Sequence, residues 1–187
     1  TPATPGSGTL ALSGDNTYSG GTTLSAGEID VGNNKALGSG SLAMADDTTL
    51  GFTTGDLDLT NNISLGGLNS VIATGDYSET LSGDISGAGQ IVKTGSGTLT
   101  LNGDNTYSGG TTLSAGEIDA GNSNALGSGS LAMADGTTLG FTAGDLNLAN
   151  TVTLSGTGTL ATGSTSDTLA GVVSGDGTLA KTGSGTL

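Results

Sequence analysis

Four aspartates within thirteen residues form the densest acidic group of the chain: Asp46, Asp47, Asp56 and Asp58. Paired carboxylates can serve as acid and base in glycoside hydrolysis when a fold holds them at a suitable separation. Only two of the four positions are aspartate again 89 residues later in the chain. We therefore interpret the group as solvated turn residues and predict no catalytic residues and no enzymatic activity. A polysaccharide-active enzyme using Asp46 or Asp58 is the alternative.

Metal and cofactor chemistry has little to build on in this sequence. The chain has no His and no Cys, which excludes the usual zinc, haem and iron–sulfur ligands. Gly-Asp turns could offer oxygen ligands to calcium, but an EF-hand loop and the calcium-binding nonapeptide are both absent. We predict no cofactor and no metal site, with weak surface calcium binding as the alternative. The turns are Gly14–Asp15, Gly55–Asp56, Gly75–Asp76, Gly83–Asp84 and Gly175–Asp176.

Tyr18 and Tyr107 lie in two identical DNTYSGG segments. A tyrosine in an exposed turn can stack on a sugar ring, which would make the chain a glycan-binding adhesin. The alternative is that each ring packs over a corner of the fold and keeps its hydroxyl wet.

The charge of the chain limits its partners. Three cations (Lys35, Lys93 and Lys181) face 17 acidic residues, giving a net charge of −14. Such a surface repels phosphate backbones and anionic headgroups, so we predict no nucleic-acid partner. No apolar run approaches the roughly 20 residues of a membrane-spanning helix, so we also predict no membrane insertion by this segment.

An internal repeat organises most of the sequence. GDNTYSGGTTLSAGEID at Gly14–Asp30 returns unchanged at Gly103–Asp119, and 41 of the 48 positions from 14 to 61 match their partners 89 residues later. Further along the offset is 88, as for Lys93 and Lys181. We place a one-residue deletion between positions 71 and 74, in a turn, because a deletion within a strand would reverse every later side chain. The predicted units are a Pro-containing linker (1–7), two repeats (8–96 and 97–184) and the start of a third (185–187).

The apolar residues predict short strands. They recur at i and i+2, as in Ile29 and Val31, which places both side chains on one face of a strand. Turns rich in Gly, Asn, Asp and Ser separate these pairs. Each repeat accommodates about four turns of a coil, each roughly 22 residues long, which gives about eight in all and a rod about 40 Å long. We predict an all-β parallel solenoid in which Phe52 and Phe141 belong to the core.

The segment KTGSGTLTLNGDNTYSGGTTLSAGEI (Lys93–Ile118), followed by ALGSGSL (Ala125–Leu131), resembles the passenger-associated β-strand repeat of bacterial autotransporters. The region Gly8–Leu42 repeats the pattern. The resemblance implies a right-handed parallel β-helix on the bacterial cell surface, within adhesins and other exported proteins. There the repeat usually forms a stalk that assists export. No signal peptide is recognisable in the sequence, so export by this route is an inference from the resemblance alone.

The segment GSGTL occurs three times, at Gly6–Leu10, Gly95–Leu99 and Gly183–Leu187. The sequence thus reaches the same phase of its repeat near both ends, without atypical capping residues. We expect either a longer array or end-to-end stacking of copies, a heterologous contact that builds filaments. The prediction is a non-enzymatic extracellular structural module, a stalk or filament. The alternative is an adhesin that binds glycans or associates with itself between cells.

Overall fold

The computed structural model describes residues 8–187, and the predicted linker at residues 1–7 lies outside this range. The described residues form short strands joined by turns, with no helix. The strands are β1 (Thr9–Leu12), β2 (Thr22–Leu24), β3 (Gly27–Val31), β4 (Leu42–Met44), β5 (Thr48–Phe52), β6 (Asp58–Leu59), β7 (Ile63–Leu65), β8 (Ser70–Ala73), β9 (Glu79–Leu81), β10 (Ile85–Gly87), β11 (Ile91–Thr94), β12 (Thr98–Leu101), β13 (Thr111–Leu113), β14 (Glu117–Ala120), β15 (Leu131–Met133), β16 (Thr137–Phe141), β17 (Asn147–Leu148), β18 (Val152–Leu154), β19 (Thr157–Ala161), β20 (Thr168–Leu169), β21 (Val173–Gly175) and β22 (Thr178–Thr182).

All the strands pair in parallel and form three faces of one coil. Face 1 is a nine-stranded sheet in the order β1-β3-β5-β8-β11-β13-β15-β18-β21. Face 2 is a seven-stranded sheet that runs from β6 to β22. Face 3 begins with β2, β4, β7 and β10 and ends with β17 and β20. Between these two groups, backbone hydrogen bonds continue face 3 from Thr106 to Ile85 and from Ser128 to Tyr107.

The coil has eight turns between its first and last strands on face 1. Paired residues lie 19 to 22 positions apart along the chain, as for Leu10 with Ile29 and Thr49 with Val71. At the ~4.8 Å spacing of neighbouring strands, eight turns span about 38 Å. The predicted all-β parallel solenoid of about eight turns is confirmed.

Alternation along each strand builds the core. In β14, Ile118 and Ala120 point inward and are buried, whereas Glu117 and Asp119 point outward. Stacking repeats this pattern in every turn, so Leu, Ile, Val and Met fill one continuous apolar column. Phe52 and Phe141 are 8% and 7% exposed, which confirms their prediction as core residues. Residues 8–187 contain no helix long and apolar enough to cross a membrane.

The two repeats are rotated by one face relative to each other. Strand β1 lies on face 1, and four further turns along that face lead to β11. The counterpart of β1 is β12, which follows β11 directly but lies on face 2. A repeat of 89 residues therefore makes four and a third turns rather than the predicted four. Equivalent side chains of the two copies consequently point in directions about one third of a rotation apart.

The structure also corrects the position of the deletion. Leu65 and Leu154 end equivalent strands at an offset of 89, whereas Ile72 and Leu160 pair with the equivalent residues Leu50 and Leu139 at an offset of 88. The residue is thus lost between positions 65 and 70, not between 71 and 74. This segment is a turn, as predicted, so the inward and outward alternation of the next strand is preserved.

Candidate functional site

The junction between the two repeats buries several polar side chains. Here the second copy begins on the last turn of the first. Asn105 bridges three successive turns, because its Oδ1 accepts the N–H of Ile85 at 2.7 Å and its Nδ2 donates to the carbonyl of Ala125 at 2.6 Å. Asn105 is 3% exposed, so both bonds lie within the rod. Buried polar groups are tolerated when satisfied in this way.

Tyr107 is buried within the same junction. Its ring is 0% exposed, and its hydroxyl is hydrogen-bonded to Thr111 Oγ1 at 2.6 Å. Burial raises the pKa of this hydroxyl, although the bond to Thr111 opposes the shift. Tyr107 therefore cannot stack on a sugar, which corrects that reading of the repeated turn. Tyr18 has the same bond to Thr22, at 2.7 Å, but is 40% exposed.

Lys93 is a buried cation of this junction, and the sequence analysis missed it. It points inward from β11, and its Nζ donates to the carbonyls of Thr94 (3.1 Å), Gly95 (2.8 Å) and Ala115 (3.1 Å). Burial lowers its pKa to about 8. Ala115 belongs to the next turn, so the lysine joins the end of one copy to the start of the other. Lys93 lies two residues after Ile91, another inward residue of the same strand. This spacing was the signal in the sequence that could have indicated a buried lysine.

Among residues 8–187, the two ends of the rod expose side chains equivalent to those that the junction buries. Five apolar or aromatic side chains exposed at the ends have counterparts that are buried in the junction, at exposures of 0% or 1%. We call Leu10 and Tyr18 the first end face, and Val173, Leu179, Lys181 and Leu187 the last end face. On the first end face, Leu10 (55% exposed) corresponds to buried Leu99, and Tyr18 (40%) corresponds to buried Tyr107. On the last end face, Val173 (38%) corresponds to Ile85, Leu179 (43%) to Ile91 and Leu187 (45%) to Leu99.

Three of the four aspartates predicted to occupy turns do so (Asp46, Asp47 and Asp56), whereas Asp58 begins β6, which corrects the prediction for that residue. Asp46 and Asp47 both accept hydrogen bonds from Asn69 at 3.1 Å, whereas Asp58 accepts from Ser82 at 2.6 Å. Asp47 and Asp56 have φ values of 55° and 61°, a turn conformation that aspartate tolerates. The absence of catalytic residues stays a prediction.

The Gly-Asp turns connect neighbouring turns of the coil. Asp84 accepts the N–H of Asp104 at 2.9 Å, and Asp76 accepts a hydrogen bond from Ser96. Within residues 8–187, no three acidic side chains come together in an arrangement that could hold a metal ion.

Glu79 is an acidic residue in an unusual place. It is 1% exposed, and its Oε2 accepts the N–H of Leu57 at 2.9 Å, while Oε1 has no partner. Burial raises the pKa of Glu79 to about 7, and the nearby charge of Asp56 adds to the shift against the effect of the Leu57 bond. Its counterpart Asp167 has partners for both oxygens, from Leu146 N–H and Thr165 Oγ1.

Comparison with known families supports the resemblance drawn from the sequence. Two segments of the chain, residues 6–31 and 91–120, match the family model of the passenger-associated-transport-repeat. The second match begins at β11 and ends with β14, so it includes Lys93, Asn105 and Tyr107 of the junction. No curated protein and no solved structure matches the chain.

Proposed function

We propose that the chain is a non-enzymatic structural module, a stalk segment of an exported, autotransporter-like protein on the bacterial surface. The repeat match and the solenoid fold fit a passenger-like structural module. The module acts mechanically. Parallel backbone hydrogen bonds along three faces hold successive turns together over the apolar column, so the rod keeps its length and holds another part of the assembly away from the cell.

The observation that carries this proposal is the correspondence between the junction and the end faces. Residues 9–30 and 98–119 differ at only two of 22 positions, so the first end face has the side chains that the junction buries. The last end face conserves the lysine as Lys181, whose Nζ donates to Gly183 at 3.2 Å, just as Lys93 donates to Gly95. A further copy stacked here would supply the carbonyl of Ala26 as the counterpart of Ala115.

We further propose that separate chains stack end to end through these faces and build filaments. Thr9–Leu10 of an incoming chain and Thr186–Leu187 of the receiving chain both correspond to Thr98–Leu99. One of the two segments must therefore move aside when two chains stack. This competition predicts that removing residues 186–187 strengthens the contact.

Negative-stain electron microscopy over a concentration series tests the stacking. We expect rods of uniform width whose lengths are multiples of about 40 Å, and longer rods for the chain without residues 186–187. Leu10→Lys places a charge on the first end face and should abolish the longer rods, while Ser64→Lys on the side of the rod is the matched control. Single particles of about 40 Å at every concentration, for both chain lengths, would rule out end-to-end stacking.

A further inference from the structure

The side of the second repeat carries a groove lined by neutral polar residues. Its volume is about 410 Å³, within the range of small-ligand clefts. Three successive turns of the coil contribute to it, so it runs along the axis of the rod. The lining comprises Asn105, Thr106, Ser123, Asn124, Gly127, Ser128, Asn147, Ala149 and Asn150.

Within the most similar part of the two repeats, more than half of the differences fall on this groove. Only seven of 48 positions differ between residues 14–61 and 103–150, and four of the seven line the groove. The remaining lining residues are identical in both copies. The four pairs are Asn34 and Ser123, Lys35 and Asn124, Asp58 and Asn147, and Thr60 and Ala149.

Two of the four differences replace a charged side chain of the first copy, Lys35 and Asp58, with asparagine in the second. In the first repeat, Lys35 Nζ forms an ion pair with Asp15 Oδ2 at 3.3 Å, on a surface where both side chains are more than half exposed. In the second repeat, Asn124 takes the place of the lysine, and its Nδ2 donates to Asp104 at 2.8 Å. Every residue that lines the second groove is consequently uncharged.

A further difference, Ser82 in the first copy against Ala170 in the second, leaves one side chain of the groove without a partner. Asp58 in the first repeat accepts a hydrogen bond from Ser82. Its counterpart Asn147 is exposed, and the position of Ser82 is occupied by Ala170. The backbone N–H of Asn147 donates to Ser123 Oγ at 3.0 Å. Its side-chain amide has no hydrogen bond to residues 8–187, so the donor and the acceptor of that side chain are both available.

We propose that this groove binds an uncharged oligosaccharide. Sugar hydroxyl groups both donate and accept hydrogen bonds, and an asparagine amide offers a donor and an acceptor side by side. Thr106 and Ser128 add hydroxyl groups, and Ala149 presents a methyl group where the first repeat has the hydroxyl of Thr60. Anionic sugars are disfavoured by the net charge of −14. This binding site goes beyond the stalk function and lies on the side of the rod, away from both end faces.

An exchange of the four residues between copies, with Ser82→Ala added in the reciprocal direction to free the side chain at position 58, provides the test. The variant Ser123→Asn/Asn124→Lys/Asn147→Asp/Ala149→Thr gives the groove the residues that the first repeat has at the equivalent positions. The reciprocal variant Asn34→Ser/Lys35→Asn/Asp58→Asn/Thr60→Ala/Ser82→Ala does the reverse. Both sets of residues already occur on the same backbone, so both variants are expected to fold, which circular dichroism checks.

The probes are neutral gluco-, galacto-, manno- and N-acetylglucosamine oligosaccharides on an array, with sialylated and sulfated sugars for comparison. Isothermal titration of the best neutral oligosaccharide should give one site in the wild type, about tenfold weaker binding in the first variant, and two sites in the reciprocal variant. Binding of no neutral oligosaccharide, equal affinity in the first variant, or a single site in the reciprocal variant would overturn the proposal.

Discussion

Tyr18 and Tyr107 occupy the same position in identical seven-residue segments, yet Tyr18 is 40% exposed and Tyr107 is fully buried. Both hydroxyls are bonded to the threonine four residues later, so the local conformations agree. What differs is the preceding turn of the coil, which covers Tyr107 through β10. Stacking of one repeat on another, rather than local sequence, therefore decides whether this residue belongs to the core.

Removing the two hydroxyls should have unequal effects. Tyr107→Phe leaves buried Thr111 without its partner, so we expect a loss of about 1–3 kcal/mol in the free energy of unfolding. Tyr18→Phe should change stability by less than about 0.5 kcal/mol, because water replaces the lost contact. Urea unfolding followed by circular dichroism measures both. Equal losses in the two variants would show that the junction does not bury Tyr107.

Lys93 should make stability depend on alkaline pH. Its pKa is lowered from 10.5 to about 8 in the folded protein, so the unfolded chain binds its proton more tightly. Burial of the charge is thus most costly below pH 8, and this cost fades as the pH rises from 8 to 10.5. Relative to Lys93→Met, the wild type should gain stability across this window.

Urea unfolding of the wild type and Lys93→Met at pH 7, 8, 9 and 10 measures this difference. Lys181→Met, at the exposed counterpart on the last end face, is the matched control. If the difference in free energy of unfolding between the wild type and Lys93→Met stayed constant across these pH values, the burial of a charged lysine at the junction would be contradicted.

Glu79 should oppose stability at neutral and higher pH. Its pKa is raised from 4.5 to about 7, so the folded protein binds the proton more tightly than the unfolded chain. The contribution of Glu79 to the free energy of unfolding therefore becomes more favourable as the pH falls from above 7 toward 4.5. Glu79→Gln should be more stable than the wild type by roughly 2–3 kcal/mol above pH 7, and the difference should vanish near pH 4.5.

Thermal and urea unfolding between pH 4.5 and 8 follow the Glu79→Gln difference. Asp167→Asn is the matched control, because both oxygens of Asp167 have hydrogen-bond donors and the substitution removes an acceptor. We expect this control to lower stability. If Glu79→Gln were less stable than the wild type above pH 7, the buried carboxyl would be stabilising and the account of its environment would be wrong.

The sequence predicted the solenoid well because each inward position is encoded locally. The spacing of Ile29 and Val31, and of their counterparts in the other turns, specifies a strand with one buried face. The rotation between repeats could not be predicted, since the pattern gives the strands but not the fraction of a turn that 89 residues complete. The misplaced deletion has a related cause: sequence identity near Val71 is low, and only strand pairing shows that Ile72 corresponds to Leu160.

The polar residues buried in the junction were harder to predict. Tyr107 and Lys93 have polar groups that usually face water, and the sequence does not show which turn covers them. Lys93 nevertheless stands at an inward position of its strand, between Ile91 and the turn at Gly95. The divergence of the groove residues was visible in the sequence, but only the coil brings Asn124 and Asn147, from successive turns, to one surface.

Small-angle scattering of a chain with one further repeat tests the central claim, that each repeat extends the same coil through its end face. The variant carries a second copy of residues 97–184 after Ser184. Four and a third more turns at ~4.8 Å should lengthen the particle by about 21 Å, with the radius of its cross-section unchanged. An added repeat that thickens the particle, or leaves its length unchanged, would contradict the account.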